Sequence, residues 1–360
     1  MSKLQPVTIG SKQLQIPIAQ GGMGVGISRS HLAGAVAKAG GLGVLSAAQI
    51  GYDEADYEQN PLQANLRAIG KHTRRAREIS GGNGMVGINI MVATKNYDQY
   101  VAASVEAGVD IIICGAGLPT ELPELVRGSD VLIAPIVSSV KSAQVICKLW
   151  DRHSHAVPDL VVIEGPKAGG HLGFSKEQLE TVTEDQYDAE ITGILKVVQE
   201  YAAKYEKKIP VFVAGGIHNR ADVAHVMALG ADGVQVASRF VTTPECDASE
   251  VYKQAYLNAK EEDIVLVKSP VGMPGRALHN TFIKQCEQDE ATGEHQILTK
   301  CYQCIKGCKA PDIPYCICKA LINAVKGDVE NGLVFCGANA YKCDHMETVD
   351  EIMQDLSTIS

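Results

Sequence analysis

Val211-Phe212-Val213-Ala214-Gly215-Gly216-Ile217 and Gly233-Val234-Gln235-Val236-Ala237-Ser238 are two short apolar runs that end on small residues, with a helix-period stretch, Arg220–Leu229, between them. Such a strand, helix, strand order is a parallel βαβ unit, because parallel strands need a crossover rather than a tight turn. Toward the amino end the same alternation recurs. Further β-runs are Ile16–Gln20, Leu42–Leu45, Val86–Ile90, Ile111–Cys114, Leu132–Ile136 and Leu160–Ile163, and helical stretches include Ser30–Ala39, Tyr97–Ala107, Ser139–Trp150 and Ala189–Tyr205. Eight runs in regular alternation predict an α/β protein whose sheet closes into a (β/α)₈ TIM barrel, in preference to an open doubly wound sheet. Ser80–Gly84 reads as a loop, and Phe174–Asp188 as a longer insertion after the sixth strand, on the face where barrels place substrate loops. Beyond Ala259 the pattern breaks. The expected organisation is a barrel over residues 1–280, including that insertion, and a Cys-rich C-terminal extension over 281–360 packed on it.

Bulk properties narrow the function. The chain has 360 residues, 46% of them apolar, and a formal net charge of −9 with both signs interspersed, so no field is present to hold nucleic acid or an anionic membrane surface. No apolar run approaches the roughly 20 residues of a membrane span, and Met1–Ser11 has no apolar stretch behind a basic start. Of the eleven cysteines, an odd number, eight lie from Cys286 onward, unlike a secreted disulfide scaffold. Reduced thiols in a cytoplasmic protein are therefore expected.

The chemistry gathers at the ends of the runs. Loops after the seventh and eighth strands of a barrel commonly hold a phosphate through backbone N–H groups, and Gly215, Gly216, Ala237 and Ser238 leave that backbone bare. The sixth run leads into Glu164-Gly165-Pro166-Lys167-Ala168-Gly169-Gly170-His171-Leu172-Gly173. His171, flanked by glycine, is presented over the mouth, and an imidazole with an ordinary pKa near 6.5 suits proton transfer at neutral pH. Gln20-Gly21-Gly22-Met23-Gly24 brings bare backbone and a thioether to the same face, and Gly87-Ile88-Asn89 brings an amide with donors and an acceptor. Taken singly, each has an ordinary structural explanation: a strand-end cap, a core methionine, a loop histidine. Together they lie on the carboxyl ends of the strands.

With these residues in hand, the sequence resembles the nitronate monooxygenase (2-nitropropane dioxygenase) family, which is related to flavin-dependent enoyl-acyl carrier protein reductases. The resemblance spans roughly residues 10–280 and rests on Gly22-Met23, Gly87-Ile88-Asn89, Ala168–Gly173, Ala214–Ile217, Gly230–Gln235 and Gly272-Met273-Pro274-Gly275-Arg276. Inosine monophosphate dehydrogenase shares the phosphate pattern, but its catalytic-cysteine loop has no counterpart here. The resemblance implies FMN with its phosphate on Gly215, Gly216, Ala237 and Ser238, and its ring against Gly22, Met23, Asn89, Glu164, Gly169 and Gln235. It implies His171 as catalytic base or proton-positioning group. The implied reaction is oxidation of a small nitroalkane or nitronate with O₂. The reductase relatives imply an alternative, with NAD(P)H as co-substrate and an enoyl thioester or quinone as acceptor. The implied partners are a small-molecule or acyl-thioester substrate, and the resemblance is compatible with a homodimer.

Two features depart from the family pattern. Pro166-Lys167 stands where an acidic residue often precedes Ala-Gly-Gly-His; Lys167 is either a cation beside the flavin edge or an exposed loop lysine. The tail carries Cys301, Cys304, Cys308, Cys316 and Cys318, with Cys336 and Cys343 beyond. The spacing fits no standard zinc or iron–sulfur repeat, and Ala320, Leu321, Ala324 and Val325 predict that Cys316 and Cys318 begin a buried helix, so no metal is assigned. A redox sensor that performs no catalysis, with the tail as its active part, is the alternative of another class.

Overall fold

Side chains alternate across a strand, so each apolar run splits between the inside of the sheet and the layer of helices around it. In the computed structural model, which describes residues 2–270, 272–293, 300–308 and 313–359, eight parallel strands close into a barrel. They are β1 Ile18–Gln20, β2 Leu42–Ser46, β3 Met85–Met91, β4 Ile111–Gly115, β5 Leu132–Val137, β6 Val161–Glu164, β7 Val211–Ala214 and β8 Gly233–Val236, with β8 pairing back onto β1. Val86, Ile88, Ile90, Ile112, Ile163, Val213 and Val234 point outward into one core shared with the helices, while Leu42, Val44, Ile111, Ile113, Val162 and Phe212 fill the interior.

The eight expected runs coincide with these strands to within a residue or two. β1 starts at Ile18 rather than Ile16 because Pro17 has no N–H to give to a ladder; its carbonyl instead accepts the Val234 N–H at 3.0 Å. The expected helices form over Ser30–Lys38, Tyr97–Glu106, Val140–Ser154, Glu184–Lys204 and Arg220–Ala228, and a further long one runs over Pro61–Ser80, with proline at its first turn and Gly81 (φ +61°) ending it. The insertion after β6 is largely helical: Ser175 caps a short helix, Lys176–Thr181, and Thr183 caps Glu184–Lys204, each through a reciprocal capping box.

The amino ends of the strands are plugged. A hairpin of Val7–Ile9 and Lys12–Leu14 packs Val7, Ile9 and Leu14 against Leu42, Met85, Ile111 and Leu132. The carboxyl ends stay open toward the C-terminal part of the chain. A second hairpin, β9 Ile264–Lys268 and β10 Pro274–Leu278, packs with Thr281–Thr292 and Ile317–Val325, and Val349–Leu356 returns to the outer layer through Val349, Ile352, Met353 and Leu356. Arg239, just after β8, holds Glu347 at 2.6 Å and Asp355 at 2.7 Å, tying this last helix to the mouth. Among the described residues no helix is long and apolar enough to cross a membrane.

Candidate active site

Strand parity decides which side chains reach the mouth. With Val161 and Ile163 turned outward on β6, Glu164 turns inward; Asn89 on β3 and Gln235 on β8 follow from the same period of two. Ala214 pairs with both Glu164 and Gln235, which sets those two on either side of β7, and Asn89, paired with Ser46 and Ile113, lines the same cavity from β3. Above them lies a cavity of about 280 Å³ lined by Gly22, Met23, Asn89, Glu164, Gly169, His171, Gly215, Gly216, Gln235, Ala237 and Ser238. Every site residue expected from the sequence is therefore at one mouth. Gly22 is glycine for a packing reason: a Cβ there would lie 2.4 Å from that of Asn89.

The turn after β7 requires glycine twice over. Gly215 and Gly216 have φ of +95° and +94°, and a Cβ on Gly215 would stand 2.9 Å from the Gly165 nitrogen and oxygen. The Phe335–Asn339 segment, a strap missed in the sequence, lies against this turn. Asn339 Nδ2 donates to the Gly216 carbonyl at 2.6 Å, the Gly337 N–H to Ser238 Oγ at 3.1 Å, and the Ala338 N–H to the Lys167 carbonyl at 3.0 Å. A Cβ on Gly169 would lie 2.5 Å from the Cys336 carbonyl carbon, so strap and loop are in backbone contact. The apolar run Leu333-Val334-Phe335 closing on Gly337 repeats the pattern of a barrel strand end and was the available signal.

His171 is not a free loop side chain. Gly170–His171 is a short strand paired with β10, His171 opposite Gly275, and the Leu172 N–H donates to the Pro274 carbonyl at 2.9 Å. The Arg276 guanidinium donates to the Ala168 carbonyl, so Gly272–Arg276 is the clamp that holds this loop. The imidazole Nε2 shares a 2.7 Å hydrogen bond with Ser269 Oγ, and the ring meets Phe335 edge-on at 5.1 Å. Burial pulls its pKa down to about 4, which corrects the expectation of an ordinary histidine: desolvation disfavours the imidazolium, so the ring is neutral at physiological pH. Burial acts oppositely on Glu164, pushing its carboxyl up to about 7 although it accepts the Gly173 N–H at 3.1 Å. Lys167 stands at the cavity rim, its side chain 57% exposed and 3.9 Å from Glu184.

Cys316 caps and Cys318 enters the buried helix Ile317–Val325, as the apolar spacing indicated. Among the described residues no group of three or more His, Cys, Asp or Glu side chains is arranged to hold a metal ion. The mouth offers bare backbone at the turns after β7 and β8 and inward amide and carboxyl groups on β3, β6 and β8. That donor set fits a ligand with a phosphate at one end and a flat heteroaromatic ring at the other.

Comparison with known proteins agrees with this architecture. Residues 5–358 match the family model described as nitronate monooxygenase. A Staphylococcus saprophyticus protein named "Probable nitronate monooxygenase" is 27% identical over 321 residues, covering 82% of this chain and 84% of that protein. Among solved structures, FabK from Thermotoga maritima is 26% identical with a TM-score of 0.71, covering 95% of this chain and 92% of that one. Nitroalkane oxidase from Streptomyces ansochromogenes, 21% identical, covers 95% of each chain at a TM-score of 0.67 and shares the fold. The chain, matched to the family model over nearly its whole length, belongs to the nitronate monooxygenase family and is an oxidoreductase.

Proposed function

We propose that the protein binds FMN at the barrel mouth and oxidises alkyl nitronates with O₂. The observation that carries this reading is one cavity joining a glycine turn, three inward polar groups and a neutral imidazole. Gly215, Gly216, Ala237 and Ser238 would hold the phosphate; Gly22, Met23, Asn89, Glu164, Gly169 and Gln235 would lie against the ring. Held there, FMN would supply the redox chemistry, with O₂ as the final electron acceptor.

The protein's own groups bias the substrate. With its pKa near 4, His171 is too weak a base to take a proton from the carbon of a neutral nitroalkane, whereas a nitronate is already ionised and needs no such step. His171, held by Ser269, would then orient the substrate by hydrogen bonding, and Lys167 at the rim would favour an anion. Glu164, titrating near neutrality, would offer either a donor or an acceptor to the ring edge.

A second reading, an NAD(P)H-dependent reductase of an enoyl thioester or quinone, is favoured by the apolar wall of Met91, Ile305, Ile317, Leu321 and Phe335, which suits an acyl chain. Anaerobic mixing separates the two. Flavin bleached by an alkyl nitronate and not by NADH or NADPH supports the first; rapid bleaching by a nicotinamide overturns it in favour of the second.

A further inference from the structure

A set of thiols leads from solvent to the wall of the mouth cavity. Cys301 is exposed, and with Cys304, Cys308 and Cys316 it lines a second, smaller cavity of about 80 Å³. Cys304 and Cys318 line the mouth cavity as well, so Cys304 faces both. It packs against the apolar cluster that contains Cys318.

Each sulfur of this pair sits on fixed backbone. The Cys304 carbonyl accepts the Lys95 N–H at 3.0 Å, and Ile305 bridges to Thr94 beside β3. Cys318 lies in the first turn of the buried helix Ile317–Val325. Its Sγ is 3.5 Å from the Tyr57 hydroxyl, whose own proton goes to Gln49 Oε1 at 2.7 Å. With that proton committed, the Cys318 thiol donates to the Tyr57 oxygen, and Cys318 is the member held protonated. Cys304 lines the cavity that opens at exposed Cys301, whereas Cys318 is buried. An accessible thiol beside a buried, protonated one is the arrangement of an attacking and a resolving cysteine.

We propose that Cys304 and Cys318 form a reversible dithiol–disulfide centre that exchanges with low-molecular-weight disulfides entering through the Cys301 cavity, independently of what the flavin does. The Cys304 thiolate attacks one sulfur of the small disulfide, forming a mixed disulfide and releasing one thiolate. Cys318 gives its proton to that thiolate and attacks the Cys304 sulfur, closing the Cys304–Cys318 bond and expelling the second thiolate. Two protein thiols are oxidised and one disulfide is reduced to two small thiols. A disulfide needs its sulfurs about 2.05 Å apart. Closure therefore draws the Cys304 segment onto the first turn of Ile317–Val325, and both line the mouth cavity.

The test treats the purified full-length protein with oxidised glutathione, quenches with acid, alkylates the remaining thiols and maps the joined peptides without reduction. The expected product is a Cys304–Cys318 link that an excess of reduced glutathione reopens. Cys318→Ser should accumulate glutathione on Cys304, and Cys304→Ser should form neither product at these positions. The wild-type map needs no variant to fold. A link from Cys304 to Cys301, Cys308 or Cys316, the absence of any link, or stoichiometric zinc or iron in the purified protein would overturn the proposal.

Discussion

Replacing Gly215 by alanine puts a methyl group where β6 and β7 end side by side. The residue has φ of +95°, and the new Cβ would lie 2.9 Å from both the nitrogen and the oxygen of Gly165. These are backbone atoms and cannot rotate away, so the turn itself must shift. A left-handed conformation costs a residue with a Cβ about 1–2 kcal/mol, and overpacking about 1–3 kcal/mol more, for a strain of roughly 2–5 kcal/mol. The turn can relax by leaving the shape proposed for the phosphate, in which case the strain appears as lost cofactor affinity. About 2 kcal/mol expressed this way weakens FMN roughly thirtyfold. Flavin fluorescence released on serial dilution reads that affinity, and urea unfolding of the flavin-free protein reads stability. Gly128→Ala is the control: its φ is +84°, but a Cβ there meets nothing within 4 Å. It should lose about 1–2 kcal/mol of stability and keep the affinity of the parent. Unchanged FMN affinity in Gly215→Ala would refute the assignment of the phosphate to this turn.

His171→Ala should retain bound flavin while turnover falls roughly ten- to a hundredfold, the worth of one hydrogen bond to an anionic substrate; unchanged turnover removes the imidazole from the mechanism. For Glu164 the sign follows from a folded pKa near 7, above the ordinary 4.5: the folded state binds more protons between these values, so stability is lost as pH rises through that window. Glu164→Gln should therefore be more stable than the parent at pH 8, by an amount on the order of 3 kcal/mol, and equal to it near pH 4.5. Equal urea midpoints at both pH values would show that the carboxyl ionises without penalty. Asn339→Ala removes the bond to the Gly216 carbonyl and should speed flavin release roughly two- to tenfold, the worth of one net hydrogen bond; an unchanged release rate would mean that the strap does not support the turn.

The barrel was legible because its determinants are local. Period-two runs such as Val86–Ile90 and Ile111–Cys114 specify strands on their own, and glycine at 215 and 216 marks a backbone conformation that other residues resist. The inward placement of Asn89, Glu164 and Gln235 follows from counting in twos along strands already identified. Where the strap docks was not legible, since Phe335–Asn339 reaches Ser238 and Gly216 across about a hundred or more residues of chain, and no local period encodes such a contact.

The sequence alone therefore determined the eight strands, their order and the mouth to which the polar and glycine residues belong, because strand parity and backbone strain are written within a few residues of each position. Only the tertiary structure decided the state of those groups. Burial among segments distant in the chain makes His171 neutral and raises Glu164, and the Ser269 and Phe335 contacts that fix the imidazole come from β9–β10 and the strap. Desolvation depends on everything packed around a group, and in this protein most of what surrounds His171 arrives from the last hundred residues.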